Sequence, residues 1–334
     1  MKRVFAFVLI AATAAFAAEG YHVVNKIKIG GTGFWDYVAA DGASHRVYAS
    51  HGTSVAVVDS EKGAVIGTIV DLHGVHGIAI AAGLNKGFIS NGQSSTVTVF
   101  DLSTLAKTAE IPTGQGPDSI CFEPKTGRVF TFNGHSGDAT AIDAKSNAVV
   151  ATLPLGGKPE FCAAPGDGRL YVNIEDKSTL VEIDAAKPAV LRTAKLAPCD
   201  GPSGLAIDTA DGVLFSVCDN KVMAVTDIKE MKVIATPAIG QGPDAAGYDP
   251  GPGLAFSSNG RDGTLTVVKM VDGKWQVVDI VPTEPGARTM AVDTVTHKVY
   301  LLTAELGPAP AAQPGQRVRP SIVPDTFHVL VVGK

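Results

Sequence analysis

Seven polar or charged positions recur along the chain at intervals of 40 to 44 residues: Asp36, His76, Asp118, Glu160, Ser203, Asp244 and Arg288. Each stands at the opening of a short apolar run. Four acids with a histidine and an arginine are suited to hold a cation, a cationic group or a polyhydroxylated ligand if the fold gathers them on one ring. The plainer reading is that Asp and Ser cap turns at wet positions.

A second set follows the next apolar run of each repeat: His51, Asn91, Asn133 with His135, Asn173 with Glu175, Asp219, Asn259 with Arg261, and Glu305. These predict an outer ring on the same face, although asparagine is first of all a turn residue. His51, His73 and His76 fall in loops near Asp36, and imidazoles with a carboxylate suit zinc or copper where three converge. A divalent metal at His51, His73, His76 and Asp36 is therefore an expectation to test.

Other chemistry finds no support in the sequence. There is no Cys-x-x-Cys-His for covalent haem, no Walker loop, no calcium nonapeptide array and no Gly-x-Ser-x-Gly elbow. No nucleophile with a neighbouring base is visible, so no catalytic residue is assigned and no cofactor beyond a divalent metal is expected. A formal net charge of −5, with no cluster of Lys and Arg among aromatics, argues against a nucleic-acid partner.

The elements that would position these residues emerge from an aromatic column: Tyr48, Phe88, Phe130, Tyr171, Phe215, Phe256 and Tyr300. Each closes an apolar run, and the near-constant interval marks one supersecondary unit repeated seven times. Gly114-Gln115-Gly116-Pro117-Asp118 recurs as Gly240-Gln241-Gly242-Pro243-Asp244, three units later. Within a unit, residues 118–122, 128–132, 139–143 and 148–153 read as four strands joined by turns. Asp59, Asp101, Asp143, Asp184 and Asp227 end the third strands, where a short carboxylate accepts hydrogen bonds in the turn.

Four antiparallel strands make one propeller blade, so the sequence predicts an all-β, seven-bladed β-propeller. The seventh unit lacks a fourth strand, and residues 23–31 resemble one. The N-terminal strand is therefore expected to complete the last blade and remove two exposed edges.

The repeated elements Arg169-Leu170-Tyr171-Val172-Asn173, Gly87-Phe88-Ile89-Ser90-Asn91-Gly92 and Ser95-Thr96-Val97-Thr98-Val99-Phe100-Asp101 resemble the YVTN-repeat β-propellers, including YncE-like exported bacterial proteins. The resemblance spans residues 18–334. It implies the architecture, and for function it implies binding or scaffolding. Quinone-dependent dehydrogenase propellers carry repeated tryptophan motifs, whereas this chain has only Trp35 and Trp275.

Lys2 and Arg3, an apolar stretch and Ala15-Phe16-Ala17 read as a signal peptide of residues 1–17. No later run is long enough to span a membrane, so residues 18–334 are expected to form a single periplasmic or secreted domain, and a monomer. Of four cysteines, Cys199 and Cys218 are expected to pair. Cys121 and Cys162, one position apart in register, are expected to remain thiols. Residues 305–325 form a long loop with Pro308, Pro310, Pro314, Pro320 and Pro324, and with Arg317 and Arg319, which suits an extended flap over the polar face.

The sequence thus points to a binding or interaction module, with a small ligand or a protein as the unknown partner, acting through the polar face. The alternative is a hydrolase or lactonase using the same acids with a metal.

Overall fold

The computed structural model describes residues 20–308 and 320–334. Seven four-stranded antiparallel sheets form seven blades, and two single 3-10 turns, Ala82–Leu84 and Glu175–Lys177, are the helical elements among the described residues. The expected signal peptide lies outside the described residues.

Every aromatic of the column lies in the second strand of its blade and is buried, Tyr171 most exposed at 3%. The core is divided into layers between neighbouring blades: Phe130 and Phe132 of the third blade pack with Leu170, Val172 and Ile174 of the fourth. A large apolar side chain repeated at one register fills each layer, so the aromatics make the ring cohere. The third-strand aspartates cap their turns as expected: Asp59 Oδ1 accepts the N–H groups of Glu61 and Lys62, and Asp101 Oδ1 those of Ser103 and Thr104.

The N-terminal strand His22–Lys28 closes the ring, pairing antiparallel with His328–Gly333 to complete the blade that also holds Met290–Asp293 and Lys298–Thr303. Phe327 fixes the seam, stacking on Trp35 at 5.7 Å and on His51 at 4.2 Å between centroids.

Cys199 and Cys218 form a disulfide within blade five. The expectation of free thiols at Cys121 and Cys162 is corrected, because they too are bonded, staple blades three and four, and leave no free cysteine. The innermost strands of neighbouring blades converge on the axis. A one-residue offset therefore leaves the two Cα atoms 6.3 Å apart, within bridging range.

The long loop has paired feet: Gly307 donates its N–H to Ser321, and Val323 to Glu305. The flap expected from Pro310, Pro314, Arg317 and Arg319 lies outside the described residues.

Candidate functional site

A β-bulge at the start of the first strand aims the repeated residues at the axis. In Trp35–Asp41, Trp35 pairs with His51 and Val38 with Ala49, so Asp36 and Tyr37 together stand opposite Ser50. The same shift sets His76 and Gly77 opposite Ser90, Asp118 and Ser119 opposite Phe132, Glu160 and Phe161 opposite Asn173, and Ser203 and Gly204 opposite Val217. Bulges re-aim side chains while the rest of the ladder stays regular. Arg288 departs from the pattern, preceding its strand by two residues.

Hydroxyl groups lock the ring backbone. Ser50 Oγ accepts the Asp36 N–H at 2.9 Å, and Ser90 Oγ accepts the Gly77 N–H at 2.8 Å while donating to the Asp118 carbonyl. Ser119 donates to the Glu160 carbonyl, Thr289 to the Asp36 carbonyl and Ser258 to the Arg288 carbonyl. Ser203, read from sequence as a ring member facing ligand, is buried and directs its hydroxyl to the Pro243 carbonyl at 3.4 Å. Positions held this way change little when a ligand arrives.

The charged members contact one another around the channel. His76 Nδ1 is 2.5 Å from Asp36 Oδ2 and 3.5 Å from Asp118 Oδ1. Arg288 reaches Asp36 Oδ1 at 3.2 Å and Asp244 Oδ2 at 3.1 Å. Lys158 lies 2.6 Å from Glu160 Oε1 and also binds the Glu175 carboxylate. Lys158 was missed by the sequence reading, although it stands two residues before Glu160.

Acids gathered away from bulk water resist ionisation. Burial, then the Asp36 charge, raises Asp118 to about 7, with His76 pulling the other way. Burial and Asp118 raise Glu160 to about 9 against Lys158. Burial raises Asp244 to about 6 despite Arg288. Burial alone would lower His76, but the hydrogen bond to Asp36 and the charges of Asp118 and Asp36 carry it above the ordinary value.

Below the ring the channel has an aromatic floor. Tyr37 and Phe161, each one residue past a ring acid, stack at 4.3 Å between centroids. Burial, with the charges of Asp118, Glu160, Asp36 and Asp244, holds the Tyr37 hydroxyl well above its usual value. The Tyr37 hydroxyl and Asp118 Oδ1 are both buried without a hydrogen-bond partner among the described residues. Comparing the residue after each ring position would have exposed this floor, since two aromatics stand there among Gly77, Ser119, Gly204, Ala245 and Thr289.

The expected outer ring is corrected in part. Asn91, Asn133 and Asn259 are buried and donate to Thr98, Thr140 and Thr266 within their own blades at 2.9 to 3.0 Å. Asn173 is buried too and donates to the Ser203 carbonyl at 3.0 Å in the next blade. They pin strands instead of facing a ligand. His135, Glu175 and Arg261 remain toward the face, and a cleft of about 520 Å³ runs from His76 and Asp118 to His135 and Lys158.

The expected metal set is also corrected. His51 is stacked under Phe327, with burial lowering its pKa, and His73 lines a separate small cleft with Asp71 and Lys107. Asp118 takes their place beside Asp36 and His76, the three offering ligand atoms all within 4.8 Å of one another.

A larger cleft, about 780 Å³, lies at the opposite ends of the strands near Tyr21, Glu61, His297 and Lys334. Its polar groups are largely satisfied: His297 Nδ1 is 2.9 Å from Asp249, and the Tyr21 hydroxyl donates to the His297 carbonyl. The ring is the better candidate because two of its buried oxygens are not.

No family model matches the chain, and no curated protein matches it. Among solved structures, U3-55K is similar with a TM-score of 0.77 at 9% identity, covering 93% of this chain and 99% of that one. The RRP9 WD40 repeats give 0.77 at 8% identity, over 92% and 97%. Hydrazine synthase from Kuenenia stuttgartiensis gives 0.70 at 16% identity, over 84% and 96%. At these identities the likeness is one of fold alone, that of a seven-bladed propeller.

Proposed function

We propose that this propeller is an exported binding protein whose face around the channel mouth seats a small ligand bearing cationic or hydrogen-bond-donating groups. The observation that carries this reading is Asp118 Oδ1, a buried carboxylate oxygen facing the ring without a hydrogen-bond partner. Leaving such a group unsatisfied costs about 1–3 kcal/mol, which a donor or cation from a ligand recovers. The adjoining cleft gives the ligand room, and Tyr37 with Phe161 supplies an aromatic floor. Export draws support from the signal-like N-terminal sequence and from two disulfides, which persist in oxidising compartments. Membership of the YVTN-repeat propellers belongs to the same proposal and rests on the repeated elements.

Native mass spectrometry of the full chain, purified without a tag from its own host, tests the reading. The wild type is expected to retain a small molecule, and joint replacement of Asp36, His76, Asp118 and Glu160 by alanine to lose it with the ring still folded. Retention in that variant would show that the ligand binds elsewhere.

Asp118 beside His76 is also a pairing suited to general acid–base hydrolysis, since a carboxyl at about 7 exchanges protons near neutrality. Release of acid from lactone substrates, lost in Asp118→Asn, is the measurement for that second reading.

A further inference from the structure

We propose that Asp36, His76 and Asp118 form a binding site for one divalent transition-metal ion of the zinc or cobalt(II) kind. The inference rests on the same ring as the binding function and names a species that occupies part of it.

His76 cannot satisfy both of the carboxylates beside it. His76 presents Nδ1 to two carboxylates, 2.5 Å from Asp36 Oδ2 and 3.5 Å from Asp118 Oδ1. One N–H can serve only one of them well, and Asp118 Oδ1 is the one left buried without a partner. An ion accepting one atom from each of the three residues satisfies both carboxylates at once. Those atoms already lie within 4.8 Å of one another, so small side-chain movements suffice to bring them into a coordination sphere.

The surroundings hold these atoms in place. The main chain at Asp36 and Asp118 is fixed by Ser50 and Ser90. The imidazole edge carrying Nε2 packs over Gly92, where a Cβ would come within 2.7 Å of it, so Nδ1 is the nitrogen turned to the acids. Arg288 holds the second oxygen of Asp36 at 3.2 Å, an outer contact that orients a ligating carboxylate. One imidazole and two carboxylates suit a borderline or hard dication. A thiolate-seeking ion finds nothing here, because all four cysteines are bonded. Water or an organic ligand can reach the ion through the cleft beside His76 and Asp118.

The test uses the full tag-free chain, stripped with chelator and titrated with cobalt(II) and then zinc. One cobalt per chain with visible absorption bands, displaced by zinc, is the expected result. Asp118→Asn and His76→Ala should each abolish the bands. Arg288→Gln should weaken affinity about 10–100-fold. His73→Asn, in the separate cleft with Asp71 and Lys107, should leave the titration unchanged. Asp118→Asn is nearly isosteric and guards against a folding artefact in His76→Ala. Wild-type protein without bands in excess cobalt overturns the proposal, as do bands that survive Asp118→Asn and His76→Ala. If stripped protein retains an organic ligand but takes no cobalt, the metal site falls and the binding face stands. Cobalt uptake without any retained ligand leaves the metal site standing and removes the support for the small-ligand reading.

Discussion

Tyr37 and Phe161 stack face to tilted face across the channel, 4.3 Å between centroids, although they come from the first and fourth blades. Each occupies the second position of a first-strand bulge, directly after a ring acid. Small residues make room elsewhere in this layer: a Cβ at Gly77 would come within 2.9 Å of the Asp118 carbonyl oxygen, and one at Gly204 within 2.3 Å of the Ala246 nitrogen. The pair therefore spans the channel between two blades, with the Tyr37 hydroxyl within reach of the charges of the ring acids.

Tyr37→Phe tests the role of that pair. Its hydroxyl is buried without a hydrogen-bond partner among the described residues, so removing it relieves a desolvation penalty and should leave stability unchanged or raise it by about 1 kcal/mol. Ligand retention should fall if the hydroxyl contacts ligand. Thermal melting and native mass spectrometry measured together decide the matter, and a clear drop in melting temperature would show that the hydroxyl serves the fold.

The staple between blades three and four yields a second prediction. Cys121 and Cys162 are 41 residues apart, and a cross-link closing a loop of that size contributes about 4 kcal/mol in the chain-entropy account. Cys121→Ser with Cys162→Ser should cost 2–4 kcal/mol in denaturant unfolding and weaken binding, because the two strands carry Asp118 and Glu160. Peptide mapping without reductant should find both disulfides. Recovery of alkylated Cys121 and Cys162 would refute the pairing.

Much of this arrangement was legible in the sequence, for reasons that also explain what was not. Tyr48 to Tyr300 mark the second strands because each interblade layer needs a large apolar side chain at the same register. Once aligned, they also located Asp36, His76 and Asp118. The repeat could not reveal which partner a ring residue would choose. His51 looked like a ligand because the sequence suggests a loop near Asp36, but it ends the strand Arg46–His51, and Phe327, just before His328–Gly333, stacks over its ring. Asn91 and Asn133 looked like exposed turn residues, yet threonines two places into the third-strand ladder draw them inward. The Cys121–Cys162 bond escaped because register within a strand does not report how closely two blades approach at the axis.

Ring closure makes a third prediction. The strand His22–Lys28 supplies the outer edge of blade seven, and Ile27 is buried with Trp35, Tyr300 and Phe327. Deleting residues 20–31 exposes the hydrogen-bonding edge of His328–Gly333 and uncovers that cluster, so the variant should aggregate or melt far below wild type. Light scattering and calorimetry measure this, and a truncated chain that stays monomeric with wild-type melting would disprove closure by this strand.

The ring acids set an unusual pH dependence. Unfolded carboxyls titrate near 4, roughly, whereas the folded chain holds Asp244 at about 6, Asp118 at about 7 and Glu160 at about 9. Between those limits the folded state binds more protons than the unfolded one, so stability falls as pH rises. His76 acts in the same direction: its raised pKa favours the folded state below the unfolded value, and that contribution is lost as pH climbs through the folded one. Turn-capping carboxyls oppose this at the acid end. Asp59, Asp101, Asp143 and Asp184 are held below their ordinary values, chiefly by hydrogen bonds from lysine side chains or turn N–H groups, and lose their contribution only as pH drops below about 4. Melting temperature should therefore peak between about pH 4 and 6 and decline toward pH 9. Asp118→Asn combined with Glu160→Gln should flatten that decline, because two of the protonated groups that produce it are replaced by neutral amides. A melting temperature that keeps rising to pH 8, or a slope unchanged in the double variant, would show that these acids are ionised in the folded ring and paired with Lys158 and His76 strongly enough to cancel the cost of burial.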